Sequence, residues 1–407
     1  MEITAFTFLC FYTVVLLLYY AAALPYRKSG AQGSLQWCVL LAASLVFYLL
    51  SGTPALVLFP LGAGLITALI AGRIGRTDSD GEKKKLLVLN LVLLIGALVL
   101  LKYLNFGGGI AMPLGLSFYT FTLAGYVIDV YLGIDTAQKN PAKVLLYGMY
   151  FPLMVSGPIL THREHADQFF GTHLPDYRNL TRGAQRTLWG FFKKLVIAER
   201  CAVAAGVIFD HYAAFSGAYI ALGALLFTFQ LYTDFSGCMD IVLGLSEMLG
   251  LVLPENFKTP FFSKSISEYW RRWHITLGVW MRGYVFYPLL RTRMIGNLQK
   301  KLRARFGKKA GKDLSTYAAM FILWLTVGLW HGGALKYVIG AGLLHWFYIV
   351  TGLVTLPFWK KALPLMHIPM EGRFADGVRI VRTFLLVNIG NVFFRAQSAA
   401  AGAAMLV

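Results

Sequence analysis

The feature that leaves this chain fewest options is a succession of apolar runs, many of them about as long as a bilayer is thick. They cover residues 6–24, 35–51, 54–72, 86–104, 112–131, 144–160, 191–209, 217–233, 239–253, 316–330, 336–356 and 380–394. A helix crossing the hydrocarbon core needs roughly 20 such residues. Across all 407 residues, 57% are apolar or aromatic and only 14% charged, where a soluble domain carries about 25% charge. A water-soluble fold of this composition would expose large adhesive patches. The expectation is an all-α polytopic membrane protein of about ten to twelve transmembrane and re-entrant helices. The runs well short of 20 residues read as re-entrant or buried within the bundle.

The net charge of +19 would suggest nucleic acid on a soluble chain. Here the cations gather in short stretches between apolar runs, the mark of cytoplasmic loops, and nucleic-acid binding is set aside. Arg27 and Lys28 follow the first run, residues 73–85 ("RIGRTDSDGEKKK") follow the third, and uncharged "SGTP" (51–54) joins the second to the third. The positive-inside rule therefore places both basic stretches in the cytoplasm, with "SGTP" and the N-terminus outside. The strongest basic loop, 291–312, is cytoplasmic by the same rule, and parts of it can lie on anionic lipid. If 144–160 crosses the bilayer, the polar stretch 161–190 with Arg163, Arg178, Arg182 and Arg186 falls outside. That placement is disfavoured, so 144–160 reads as dipping into the membrane. The first run lacks a basic flank and a small-residue cleavage site, so it reads as a retained helix. Gly107–Gly109 reads as a flexible loop before Pro113. Cys10, Cys38, Cys201 and Cys238 have neither metal spacing nor a disulfide pattern. No fixed-period repeat and no Pro/Ser-rich linker divides the chain, so 1–407 reads as one membrane domain.

Chemistry concentrates in the C-terminal half. His274, His331 and His345 lie on apolar elements, and an ionisable side chain at membrane depth usually faces a cavity or a partner. In "EYWRRWHITL" (268–277), helical spacing would put Trp270 and His274 on one face with Arg271 beside them. In "LWLTVGLWHGGALKY" (323–337), Trp330 and His331 end an apolar run, and Gly332 and Gly333 permit a close backbone approach. A neutral imidazole can take the proton of a hydroxyl that attacks a thioester or ester. Arg271, Arg272 or Arg282 could hold the phosphates or carboxylate of a donor. Asp234 and Asp240 sit in an apolar frame, where such carboxylates serve transporters as ion sites or pair with arginines. Rival motifs are weak. "GLSEMLG" (244–250) carries Met248 where a nucleophile elbow needs glycine. His162 and His165, three apart, lack further metal ligands and read as a solvated interfacial loop.

"NFKTPFFSKSISEYWRRWHITLGVWMRGYVFYPL" (256–289) resembles the signature of the membrane-bound O-acyltransferases, and "GLWHGGALKYVIGAGLLHW" (328–346) their second signature. "KYLNF" (102–106), "GLSFYTFTLAGYVIDVYLG" (115–133), "FPLMVSGPI" (151–159), "LYTDFSGCMDI" (231–241) and "NVFFRA" (391–396) add to the likeness, which covers about 102–396. The resemblance implies a ring-like helix bundle around a tunnel in a bacterial plasma membrane. It implies transfer of an acyl group from a cytoplasmic thioester, acetyl-coenzyme A or a carrier protein's phosphopantetheine, with no bound cofactor. The acceptor would be a hydroxyl of a cell-surface polysaccharide, reached through an extracytoplasmic acyltransferase partner. His331 falls on the family's catalytic histidine. His274 falls on its second functional position, which holds histidine, asparagine or aspartate. Trp270, Arg271, Arg282, Trp330 and Asp234 would bind substrate. Gly283 departs from the alginate-like branch, which usually has aspartate there, and "PLLRTR" lacks the Gly-Gly-Asn turn that often follows. Polysaccharide acetylation, D-alanyl transfer to teichoic acid and, from another class, a transporter of envelope precursors all remain open at this point.

Overall fold

The computed structural model describes residues 1–26, 35–103, 111–366, 369 and 371–407. Arg27, Lys28, Gly107–Gly109 and the end of the "KYLNF" motif lie outside these. Seven helices among the described residues are long and apolar enough to cross a membrane: Phe6–Tyr26, Pro54–Ile74, Asp80–Tyr103, Gly217–Met248, Lys308–His331, Leu335–Leu365 and Arg373–Arg395. No strand is present among the described residues, only an isolated antiparallel bridge between Phe257 and Trp273. The all-α membrane architecture read from the sequence is therefore observed. The chain clusters into two compact units, Met1–Lys194 with Phe235–Pro254, and Leu195–Asp234 with Glu255–Val407.

The first unit contains α1 (Phe6–Ala21), α2 (Gln36–Ser51), α3 (Leu58–Ile74), α4 (Asp80–Tyr103), α5 (Leu116–Tyr131), α6 (Pro141–Met149), α7 (Phe151–Val155), α8 (His162–Phe170) and α9 (Tyr177–Phe191). Its core is aromatic: Phe8, Phe47 and Phe151 pack with centroids 5.8 to 6.4 Å apart. The run 144–160 does not form one helix. Pro141 and Pro152 each open a short helix, of nine and five residues, about 14 and 8 Å long against a hydrocarbon core of about 30 Å. The reading of 144–160 as non-spanning agrees with these lengths. The following polar stretch is α8 and α9. His162 is not solvated, as the sequence reading had it: it is buried, its Nδ1 lies 2.7 Å from Asp135, and Tyr126 and Tyr147 flank its ring.

The runs 217–233 and 239–253, expected as two segments, join in one 32-residue helix, α11 (Gly217–Met248); α10 (Glu199–Asp210) precedes it. The polar "TDFSGCMD" between the runs lowers hydropathy without breaking the helix, because its polar groups find partners. Asp240 accepts from Arg186 at 3.0 Å and pairs with the Lys193 ammonium, which also donates to Ser236 at 3.0 Å. Four glycines make room for this. A Cβ on Gly183 or Gly244 would lie 2.5 Å from the other's carbonyl oxygen, and one on Gly190 2.6 Å from that of Gly237. The backbones of α9 and α11 are therefore in direct contact, the small-residue packing that brings membrane helices together.

The second unit holds α12 (Ile266–Arg272), α13 (Ile275–Met281), α14 (Tyr287–Leu290), α15 (Arg293–Phe306), α16 (Lys308–His331), α17 (Leu335–Tyr337), α18 (Leu344–Leu365), α19 (Arg373–Arg395) and α20 (Ala399–Ala404). The basic stretch 291–312 is not a loop. It forms α15 and the start of α16, turned about Gly307 in a left-handed conformation (φ 82°). Gly311 lets the two helices close: a Cβ there would sit 2.5 Å from the Arg303 backbone nitrogen. Thr228 on α11 donates to Asn388 on α19 at 2.8 Å and accepts from Asn391 at 2.9 Å. This polar tie fixes α19 against α11.

Candidate active site

The site grows from the segment 256–276. Ser265 caps α12 by accepting from the Glu268 backbone N–H, and Glu268 accepts from the Lys264 N–H, a variant of the reciprocal capping box. Glu268 also holds Arg272 at 2.7 Å, and Arg272 donates to Thr259 at 3.2 Å. Arg272 is thus committed to the local fold. After Arg272 the helix stops. Trp273 is extended and bridges to Phe257, and His274 takes a left-handed conformation (φ 47°, ψ 53°) before α13 begins. The expected helical face shared by Trp270 and His274 therefore does not exist. The Phe257–Trp273 bridge overrides the helical spacing.

His274 is 2% exposed and sits on Asn256, itself fully buried. Asn256 Oδ1 accepts from the Thr276 backbone N–H at 3.0 Å, from its hydroxyl at 3.1 Å, and lies 3.3 Å from His274 Nδ1. A backbone N–H can only donate, so the atom facing all three groups is the amide oxygen. His274 Nδ1 must then carry the proton, which leaves Nε2 as an acceptor. Burial first, and then the proximity of His331, push the His274 pKa from its ordinary value down to about 3. The neutral imidazole is its resting form.

His331 closes α16. Trp330 stands beside both imidazoles, with ring centroids 4.7 Å from His331 and 5.7 Å from His274. Phe394 of α19 packs edge-on to His331 at 5.4 Å. Gly332 is extended (φ 174°), so it is not needed to turn the chain. It is needed for space, because a Cβ would meet the Tyr337 ring at 2.4 Å. His345 on α18 is 4% exposed, with Trp270 at 5.0 Å and Trp324 at 5.7 Å. Beside these rings α12, α13, the π-helical segment Arg282–Phe286, α16 and α18 line an open cavity of about 220 Å³. Trp270, Arg271, Arg282 and Trp324 are in its wall, with Leu277 and Val327 supplying apolar surface. Arg271 is exposed and Arg282 half-buried. Asp234 is half-buried on α11, two residues beyond Tyr232, whose ring lies 6.2 Å from Trp273.

The structure thus brings Trp330 beside both His274 and His331, and puts Trp270, Arg271 and Arg282 in one cavity wall. His274 and His331 are not in that wall. Two segments of one unit, 256–289 and 328–346, set His274, His331 and His345 among tryptophans and point to a single family. Residues 136–394 match the profile of the membrane-bound O-acyltransferases. The chain belongs to this family.

It is an acyltransferase with a multi-pass membrane body. It is similar to the protein named "Probable alginate O-acetylase AlgI" from Pseudomonas syringae pv. tomato, 33% identical over 95% of this chain and 71% of the relative. It is similar to a peptidoglycan O-acetyltransferase from Helicobacter pylori, 28% identical over 89% of this chain and 71% of the relative. It is also similar to a teichoic acid D-alanyltransferase from Bacillus subtilis, 30% identical over 70% of this chain and 69% of the relative. Every site residue named above falls within the matched span. Sequence reasoning missed Asn256, Trp324 and Phe394. Asn256 had a signal, since it opens the first signature. The other two are ordinary aromatic residues in apolar runs, and only the packing singles them out.

Proposed function

We propose that this acyltransferase moves an acetyl group from a cytoplasmic thioester to hydroxyls of a cell-surface polysaccharide, with His331 as the base. The acceptor hydroxyl loses its proton to His331 as its oxygen attacks the thioester carbonyl. The C–S bond then breaks, and the leaving thiolate takes the proton from the imidazolium, restoring the base. His274, neutral and with its proton on Nδ1, orients the hydroxyl or the His331 ring, and Trp330 fixes the spacing of the two imidazoles. Arg271 and Arg282 bind the anionic part of the donor at the cavity wall, whose apolar surface suits an amphipathic arm. The donor's phosphates can belong to coenzyme A or to a carrier protein's phosphopantetheine. An extracytoplasmic partner receiving the acyl group on the far side would complete the route to such a polysaccharide.

The observation that carries this reading is the His274–Asn256 hydrogen bond, which sets the tautomer of an imidazole beside His331. A transporter using Asp240 as its coupling site is disfavoured, because Asp240 is held by Arg186 and Lys193. Purified protein incubated with labelled acetyl-coenzyme A, and separately with a D-alanyl-charged carrier protein, should consume one of the two. His331→Ala should lower that rate by at least about a hundredfold, the usual contribution of a positioned base, while still inserting into the membrane. Wild-type rates in that variant would refute the assignment. Consumption of the D-alanyl thioester alone would move the reading to D-alanyl transfer.

A further inference from the structure

Among the buried polar atoms near the histidines that have no hydrogen-bond partner among the described residues are Trp270 Nε1 and His345 Nδ1. Their rings are in contact, edge to face at 87° with centroids 5.0 Å apart. His345 is walled by aromatic rings, Tyr269 at 6.4 Å, Trp324 at 5.7 Å and Tyr348 at 6.3 Å. Trp270 is in turn part of the cavity wall. A buried donor left unsatisfied costs about 1–3 kcal/mol, and most buried polar atoms are partnered. Two such atoms on rings in contact, one of the rings lining the cavity, are placed to take a polar group that the chain does not itself supply.

We infer that Trp270 Nε1 and His345 Nδ1 both donate to the carbonyl oxygen of the donor's thioester. The inference rests on the acyl-transfer reading above and adds to it the groups that bind the reacting carbonyl. Indole nitrogen is only ever a donor. His345 donates in the tautomer with the proton on Nδ1, its Nε2 facing Gly390, where a Cβ would come within 3.4 Å. As the hydroxyl attacks, negative charge grows on that oxygen, and two preformed donors in an aromatic, water-poor box stabilise it more strongly than they stabilise the neutral carbonyl. No arginine is then required at the reacting atom, which leaves Arg271 and Arg282 for the donor's phosphates.

The test separates this inference from the reading it rests on. Transfer is measured with acetyl-coenzyme A and with a D-alanyl-charged carrier protein, for the wild type, Trp270→Phe, His345→Ala and His345→Asn. Trp270→Phe keeps an aromatic ring, smaller than the indole, and removes the N–H. It should lower kcat tenfold to a thousandfold while the donor KM changes less than threefold. His345→Ala should do the same, and His345→Asn, whose amide can donate from a similar position, should recover at least part of the loss. Binding is then measured in the inactive His331→Ala background with two unreactive probes. One is the ketone analogue of acetyl-coenzyme A with methylene in place of sulfur, and the other is S-ethyl-coenzyme A, which has no carbonyl. Preference for the ketone should disappear when Trp270→Phe or His345→Ala is added. An active wild type with kcat unchanged in Trp270→Phe, or a ketone preference that survives it, overturns the carbonyl site and leaves a bridging water in its place. A wild type that consumes neither thioester overturns both readings together.

Discussion

At the scale of single residues, His274 shows how a fold can hold an imidazole in one protonation state. It lies outside the seven candidate spans. Asn256 accepts a hydrogen bond from its Nδ1–H, and burial keeps it uncharged with a pKa of about 3. The native state therefore takes up no proton at this site until strongly acid pH, whereas an unfolded histidine does so near pH 6.5. As pH falls below about 6.5 the unfolded state alone gains the proton, so stability drops, by at most about 1.4 kcal/mol per pH unit. Above that pH the residue contributes no dependence. The thermal midpoint in detergent should fall between pH 7 and pH 5, and His274→Asn, which cannot titrate, should flatten that slope. Equal slopes in the two proteins would show that His274 is not the group responsible. The sequence displayed this histidine plainly but placed it on a helical face with Trp270. A single backbone bridge, Phe257 to Trp273, decided otherwise, and no pattern of residue types announces a bridge of one pair.

At the scale of elements, the glycines sort into those that touch a neighbour's backbone and those that do not. Gly311 and Gly296 make a matched pair, both in the α15–α16 hairpin. A Cβ on Gly311 would strike the Arg303 backbone, and one on Gly296 meets nothing within 4 Å. Gly311→Ala should part the hairpin and lower the thermal midpoint. Gly296→Ala should leave it unchanged or raise it, since alanine in a helix interior is favoured over glycine by about 0.5–1 kcal/mol. Equal effects from the two substitutions would contradict the contact. Apolar runs made most of the long helices legible, because hydropathy is the property that a bilayer selects. The fused α11 was not legible. Its polar middle looks like a boundary until Arg186 and Lys193, supplied from α9 and the π-helical segment Phe192–Ala198 that continues it, are known to reach Asp240. Residues 291–312 were misread for the converse reason: a charged, polar composition describes both a loop and an exposed helix.

At the scale of the whole molecule, charge distribution supplies what packing does not, namely which ends of the spans meet the cytoplasm. Residues 73–85 bridge α3 and α4, and α15 presents a basic surface before α16. In a cysteine-free background, cysteines placed at Ser79 and Lys300 should be protected from an impermeant maleimide added outside intact cells and labelled after lysis. One placed at Thr53 should be labelled without lysis. The reverse pattern would invert the membrane orientation, and with it the side from which the thioester arrives. This orientation is an expectation from charge alone, since lysine and arginine bias insertion directly. The two compact units were not legible in the sequence, since no change of composition marks the boundaries near residues 194, 234 and 254.

The backbone at position 274 has a further consequence for what the chain can become. A φ of 47° is readily accepted by only a few amino acids: glycine, asparagine, aspartate and histidine. Of these four, histidine alone offers a ring nitrogen, and glycine offers no side chain. Substitution at 274 is therefore screened twice, once by the shape of the main chain and once by what the side chain can hold. The few exchanges that survive the first screen are the polar ones most able to retain some activity through the second.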